Sequence, residues 1–144
     1  MNRENELRLV ARLAALGESA DAGALAELVT HTRGESARLR RLAASAIGKL
    51  AGIVPAAEGV SALMPLLADP HPQCRQYAAK ALGAFGAASE RALPDLRDMY
   101  RNSAEKDYVK RSVLAAGKTI SEAVRIATAK VVHRCRRCGM VVSP

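Results

Sequence analysis

Aromatic side chains are almost missing from this sequence: its 144 residues include one Phe, three Tyr and no Trp. That scarcity disfavours a surface on which bases stack. Cysteine is scarce too. Three of them, two in a single CxxC, do not make a disulfide framework. No run of about 18 apolar residues occurs, so no membrane span is expected. The N-terminus, MNRENELRLVARLAAL, carries acidic residues and has no apolar core of a secretory signal, so a cytoplasmic location is expected. Catalytic patterns are absent as well: there is no P-loop, no GxSxG and no dinucleotide fingerprint. No pair of acids is required by its spacing to work as general acid and base. His31 and His71 fall in or beside interhelical turns and read as capping or solvent residues, and Cys74 reads as a small core residue. A non-enzymatic protein without a cofactor in this segment is the expectation.

What is present is helix-forming and basic. Hydrophobic residues make up 49% of the chain, and with so few aromatics this composition suits closely stacked Ala- and Leu-rich helices. A net charge of +8 fits an anionic partner. The stretch from Ser61 to Gly86, SALMPLLADPHPQCRQYAAKALGAFG, shows the building block. Leu63, Met64, Leu66 and Leu67 form one apolar helix face. Asp69-Pro70 then reads as an N-cap and first turn of a second helix, whose face is Cys74, Tyr77, Ala78, Ala81, Leu82 and Phe85 and which ends on Gly83 and Gly86. This is an αα-hairpin that cannot bury both faces alone.

The chain repeats it. The run Leu39-Arg40-Arg41-Leu42-Ala43-Ala44 aligns with Cys74-Arg75-Gln76-Tyr77-Ala78-Ala79, 35 residues on, and a weaker copy begins at Val109-Lys110-Arg111 after another 35. On these residues, with Leu63, Pro65, Asp69-Pro70, Arg75, Ala78-Ala79, Leu82 and Gly83, the chain resembles the HEAT-repeat family, and within it the bilin-lyase-like HEAT proteins. The resemblance implies an all-α, right-handed solenoid of stacked helix pairs. It also implies an Asp–Arg ladder between repeats, through Asp69 and Arg75. Only the central repeat has the Asp, because Gly34 and Ala104 stand 35 residues to either side, so the ladder is expected to be incomplete.

The expected layout is a HEAT-repeat domain over residues 1–132, followed by a tail over residues 133–144. The domain comprises a capping helix over residues 3–16 that Gly17 ends, repeats at about 21–51, 58–86 and 89–118, and a closing helix that either follows a break near Gly117–Thr119, which the glycine favours, or continues the third inner helix as one long helix. Gly52 to Gly59 and Gly86-Ala87-Ala88 read as linkers between repeats. Inner helices over 36–51, 71–85 and 105–118 would line the concave side.

A scaffold that holds another protein on that concave face is the leading expectation. The alternative is a nucleic-acid-binding or positioning module, with Arg41, Lys80 and Arg111 on the inner helices and Arg134, Arg136 and Arg137 in the tail as the contacts. In the tail, Cys135-Arg136-Arg137-Cys138-Gly139 resembles the first knuckle of a zinc ribbon, in which two thiolates face one metal and a glycine permits the turn. With His133 the site has three ligands of the usual four, so it is incomplete. A redox-active or incidental thiol pair is the other reading. The half motif leads to the expectation that the chain is the N-terminal part of a longer protein, whose next module binds zinc.

Overall fold

The computed structural model describes the backbone of residues 1–138 and the side chains of residues 1–130. The described residues form seven α-helices and no strand. The first, α1 (Arg3–Glu18), starts where Asn2 Oδ1 accepts the Asn5 N–H at 2.9 Å, with Glu4 and Glu6 in the first turn. It is followed by α2 (Ala24–Thr32), α3 (Ala37–Lys49), α4 (Ala56–Leu63), α5 (Pro72–Ala84), α6 (Leu93–Arg101) and α7 (Asp107–Cys138). Two 3-10 segments complete the outer elements. Met64–Ala68 prolongs α4 where Pro65 has no N–H to continue the α-helical ladder, and Gly86–Ala92 leads into α6.

The helices lie in two layers. An inner layer stacks α1 on α3, α3 on α5 and α5 on α7, while α2, α4 and α6 back it from outside. Apolar residues from both layers meet between them: Leu28, Ile47, Leu50, Leu63, Leu82, Val109, Val113 and Ile120 are fully or almost fully buried. The architecture is an all-α solenoid, as the repeat pattern predicted. The first helix packs in line with the inner helices, against α3.

Several boundaries differ from expectation, and packing explains each. Residue Asp69 does not cap α5. His71 does, its Nδ1 accepting the Gln73 N–H at 3.3 Å with Pro72 in the first turn, while Asp69 Oδ1 accepts the His71 N–H at 2.8 Å. The expected linker Gly52–Gly59 is helical from Ala56, and Gly59 sits inside α4 because the Phe85 ring fills its side; a Cβ there would lie 2.4 Å from the ring tip. Glycines Gly17 and Gly83 do not end their helices. With Gly48 they are contact points of the inner layer. A Cβ added at Gly17, Gly48 or Gly83 would stand 3.1, 3.0 and 3.4 Å from Ala46, Ala81 and Ala116 respectively. Each missing side chain lets the next inner helix approach closely. The chain leaves α5 instead through Gly86, at φ 57°, a left-handed conformation that glycine adopts without strain.

Of the two alternatives near Gly117–Thr119, the favoured break does not occur and one long helix forms. A single helix, α7, runs from Asp107 to Cys138 and joins the third inner helix to the expected closing helix, crossing the boundary drawn at residue 132. Beyond Gly117, Ile120 is fully buried and Ala123 lies against Gly86, so packing offsets the roughly 1 kcal/mol that an interior glycine costs. Two glycine substitutions of opposite sign test this arrangement. Gly48→Ala gains helix propensity but drives a methyl against the Ala81 backbone, and is expected to destabilise by about 1–3 kcal/mol. Gly117→Ala meets nothing within 4 Å and should stabilise by about 0.5–1 kcal/mol. Urea unfolding of both variants is the measurement; a loss at Gly117 would show that α7 breaks there.

Candidate functional site

The inner layer is held in register by two arginine–carboxylate pairs. Each arginine projects from the first turn of an inner helix and reaches the loop before the next. Arg40 of α3 donates through Nε to Asp69 Oδ2 at 2.7 Å and through Nη2 to Asp69 Oδ1 at 3.1 Å. Its Nη1 donates to the carbonyls of Gly34 and Glu35. The same design recurs one repeat on, where Arg75 donates through Nε and Nη2 to Glu105, both at 2.8 Å, and through Nη1 to the Asp69 carbonyl at 2.7 Å. Both carboxylates are nearly enclosed, their side chains 5% and 4% exposed. Such bidentate pairs fix angle as well as distance.

The ladder is therefore more complete than its aspartates suggest. Glu105 supplies the second acid. It was missed because it lies 30 residues from its arginine, whereas Asp69 lies 29 from Arg40. A search allowing one residue of slack and either acid would have found it. Burial pushes the Asp69 carboxyl up, but hydrogen bonds from Arg40 and the His71 N–H, with the charge of Arg40, outweigh it and leave the group below the ordinary carboxylate range. For Glu105 the hydrogen bonds from Arg75 dominate over burial, with the same result. Cys74 is buried beside this ladder, its Sγ donating to the Ala37 carbonyl at 3.3 Å, and burial raises its thiol pKa. It is a core residue.

The three inner-helix candidates divide. On α3, Arg41 is half-buried and its guanidinium donates to Gln73 Oε1 of α5, so it bridges two helices. Lys80 on α5 and Arg111 on α7 are exposed and line a common hollow of about 600 Å³ between those helices. Gly83, Ala84, Ala115 and Ala116 contribute small residues to it, and Tyr108 lies at its side. A second hollow, of about 380 Å³, lies between α3 and α5 and takes in Gly48, Lys49, Tyr77 and Ala81; Lys80 borders both. The Lys80 ammonium stands 5.7 Å from the Tyr77 ring centroid. The helices α3 and α5 contain no Asp or Glu at all.

The backbone of α7 is helical as far as Cys138, and the side chains of His133, Arg134, Cys135, Arg136, Arg137 and Cys138 lie outside the described residues, as does all of 139–144. The metal and tail-contact expectations fall there. No cluster of three metal-ligating side chains exists among the described residues, and no helix among them is long and apolar enough to cross a membrane.

Two layers of paired helices locked by recurring arginine–carboxylate bridges define an α-solenoid of short repeats. A family model for HEAT repeats matches residues 25–117, more than half of the chain, and the protein belongs to that family. A search of the curated proteins finds no significant match.

Proposed function

We propose that this chain is a non-enzymatic scaffold that holds a protein partner, through acidic residues of that partner, on the inner-helix face. The observation that carries the reading is the charge of that face. Its helices α3 and α5 bear six cations and no acid. Arg40 and Arg75 are engaged in the ladder, Arg41 bonds to Gln73, and Lys49 pairs with Glu18 of α1. Arg38 and Lys80, with Arg111 and Lys118 of α7, make no ion pair among the described residues. Free cations on a rigid frame favour partners of opposite charge and speed their encounter.

The same excess of basic charge favours a second reading, a module that positions nucleic acid. A following zinc-binding module belongs to that reading, with His133, Cys135 and Cys138 as its first ligands.

Photo-crosslinking separates the two. A crosslinking residue placed at Lys80 or Arg111, in cells that make the protein, is expected to capture one recurrent protein, whereas placement at Arg97 on the outer face captures none. Recovery of nucleic acid from the inner positions would establish the second reading, with affinity falling at a log–log salt slope of about −0.9 per phosphate contacted on duplex DNA. Equal, unselective capture from both faces would overturn both.

A further inference from the structure

The two hollows of the inner face meet at Lys80 and Ala84, forming one trough that crosses α3, α5 and α7. Its depth has a plain origin. The close contacts of Gly48 with Ala81 and of Gly83 with Ala116 leave only hydrogens and methyl groups between the inner helices, so nothing fills the space above them. The floor is mostly Gly and Ala, and in the larger hollow its hydroxyls are engaged: Ser112 Oγ donates to the Tyr108 carbonyl and accepts from Gln76, and Thr119 Oγ1 donates to the Ala115 carbonyl. The cations offered to a ligand are Lys80, where the two hollows meet, and Arg111.

We infer that this trough takes an extended peptide of about six residues in which acidic and apolar side chains alternate, the apolar ones seated on the Gly/Ala floor and the carboxylates reaching Lys80 and Arg111. The inference rests on the scaffold reading above and names the chemistry of the partner. The length follows from helix axes roughly 8–10 Å apart, so that crossing three of them spans roughly 16–20 Å, and an extended chain rises about 3.3 Å per residue. The alternation follows from the strand itself, whose successive side chains point to opposite sides. A nucleic acid fits the trough less well. Its phosphates need many donors where the floor is mostly Gly and Ala, and of the two tyrosines available for stacking, Tyr77 lies under the Lys80 ammonium.

Fluorescence anisotropy with three labelled probes tests this on the full chain: a hexapeptide alternating Glu and Leu, a hexapeptide of Glu alone, and an oligonucleotide of twenty thymidines. The alternating peptide is expected to bind with a Kd below about 1 mM and more tightly than the other two. Charge reversal at both Lys80→Glu and Arg111→Glu should weaken it at least about tenfold. Ala115→Trp, at an exposed position on the floor, should weaken it comparably at unchanged Tm, whereas Arg97→Glu on the outer face leaves it unaltered. Equal binding of both peptides, insensitive to Ala115→Trp, would overturn the trough and leave a simple basic patch, with the scaffold reading intact. Tighter binding of the oligonucleotide, or no binding of the alternating peptide, would overturn it too; in either case crosslinking from Lys80 and Arg111 decides the scaffold reading separately. The comparison of probes needs no variant, so it stands even if a substitution fails to fold.

Discussion

Replacing Arg75 by alanine is expected to lower the unfolding free energy by about 3–5 kcal/mol at neutral pH. The guanidinium makes three hydrogen bonds, two to Glu105 and one to the Asp69 carbonyl, and its removal leaves a carboxylate only 4% exposed with no ion-pair partner and only the weaker influence of Lys110. The Lys106 N–H, at 2.9 Å from Oε1, would be the main donor left to it. The pH dependence sharpens the test. In the native protein Glu105 and Asp69 both titrate below the ordinary carboxylate range, so the unfolded chain binds more protons than the folded one on acidification. Their contribution is full above the unfolded values of about 4 and is lost as pH falls through the lower folded values. In Arg75→Ala the isolated, buried Glu105 is instead pushed up, so protonation relieves the defect. The loss should therefore be largest near pH 7 and shrink toward pH 4. Denaturant unfolding of both proteins at the two pH values measures it; a loss that is small, or unchanged between them, would mean that the bridge does not hold the second and third repeats together.

Leu82→Ala is expected to cost about 2–5 kcal/mol, because a fully buried side chain between the layers leaves a cavity that close-packed helices cannot collapse. Leu114→Ala, on α7 and 39% exposed, should stay within about 0.5 kcal/mol. The two leucines look alike in composition and in helix propensity, so the contrast isolates burial. Similar losses at both positions in thermal or urea unfolding would contradict the stacking order of the inner layer.

Much of this architecture was legible beforehand, for a physical reason: burial in a stacked hairpin recurs at every repeat and so leaves a period in the sequence. The 35-residue spacing from Leu39 to Cys74 to Val109 located the starts of α3, α5 and α7, and all three residues are buried. The family resemblance implied Arg40 and Arg75 as ladder residues, and the aligned apolar position read Cys74 as core. His71, read as a capping or solvent residue, caps α5 in the place assigned to Asp69. Of the candidate site, Lys80 and Arg111 do share a hollow, while Arg41 turns away to Gln73. Charge counts gave no means of separating these three, since the geometry of a neighbouring helix decides which cation finds a partner.

Sequence alone thus determined the class of fold and the basic character of the inner helices, because local propensity and the recurrence of burial are written in residue order. Tertiary structure decided what depends on a second helix. Gly17 and Gly83 read as stops by local preference, yet each serves as a point of close approach for an alanine of the next repeat. Asp69 reads as a cap but is drawn to Arg40, and Glu105 takes the ladder position that Ala104 leaves empty because distance in space, not in sequence, selects the carboxylate. Gly117 left open whether α7 breaks or runs on; the packing of Ile120 and Ala123 beyond it outweighs a cost of about 1 kcal/mol. The trough at Lys80 and Arg111 has no sequence signal of its own, since it is formed by the side chains that are missing between helices brought together by the fold.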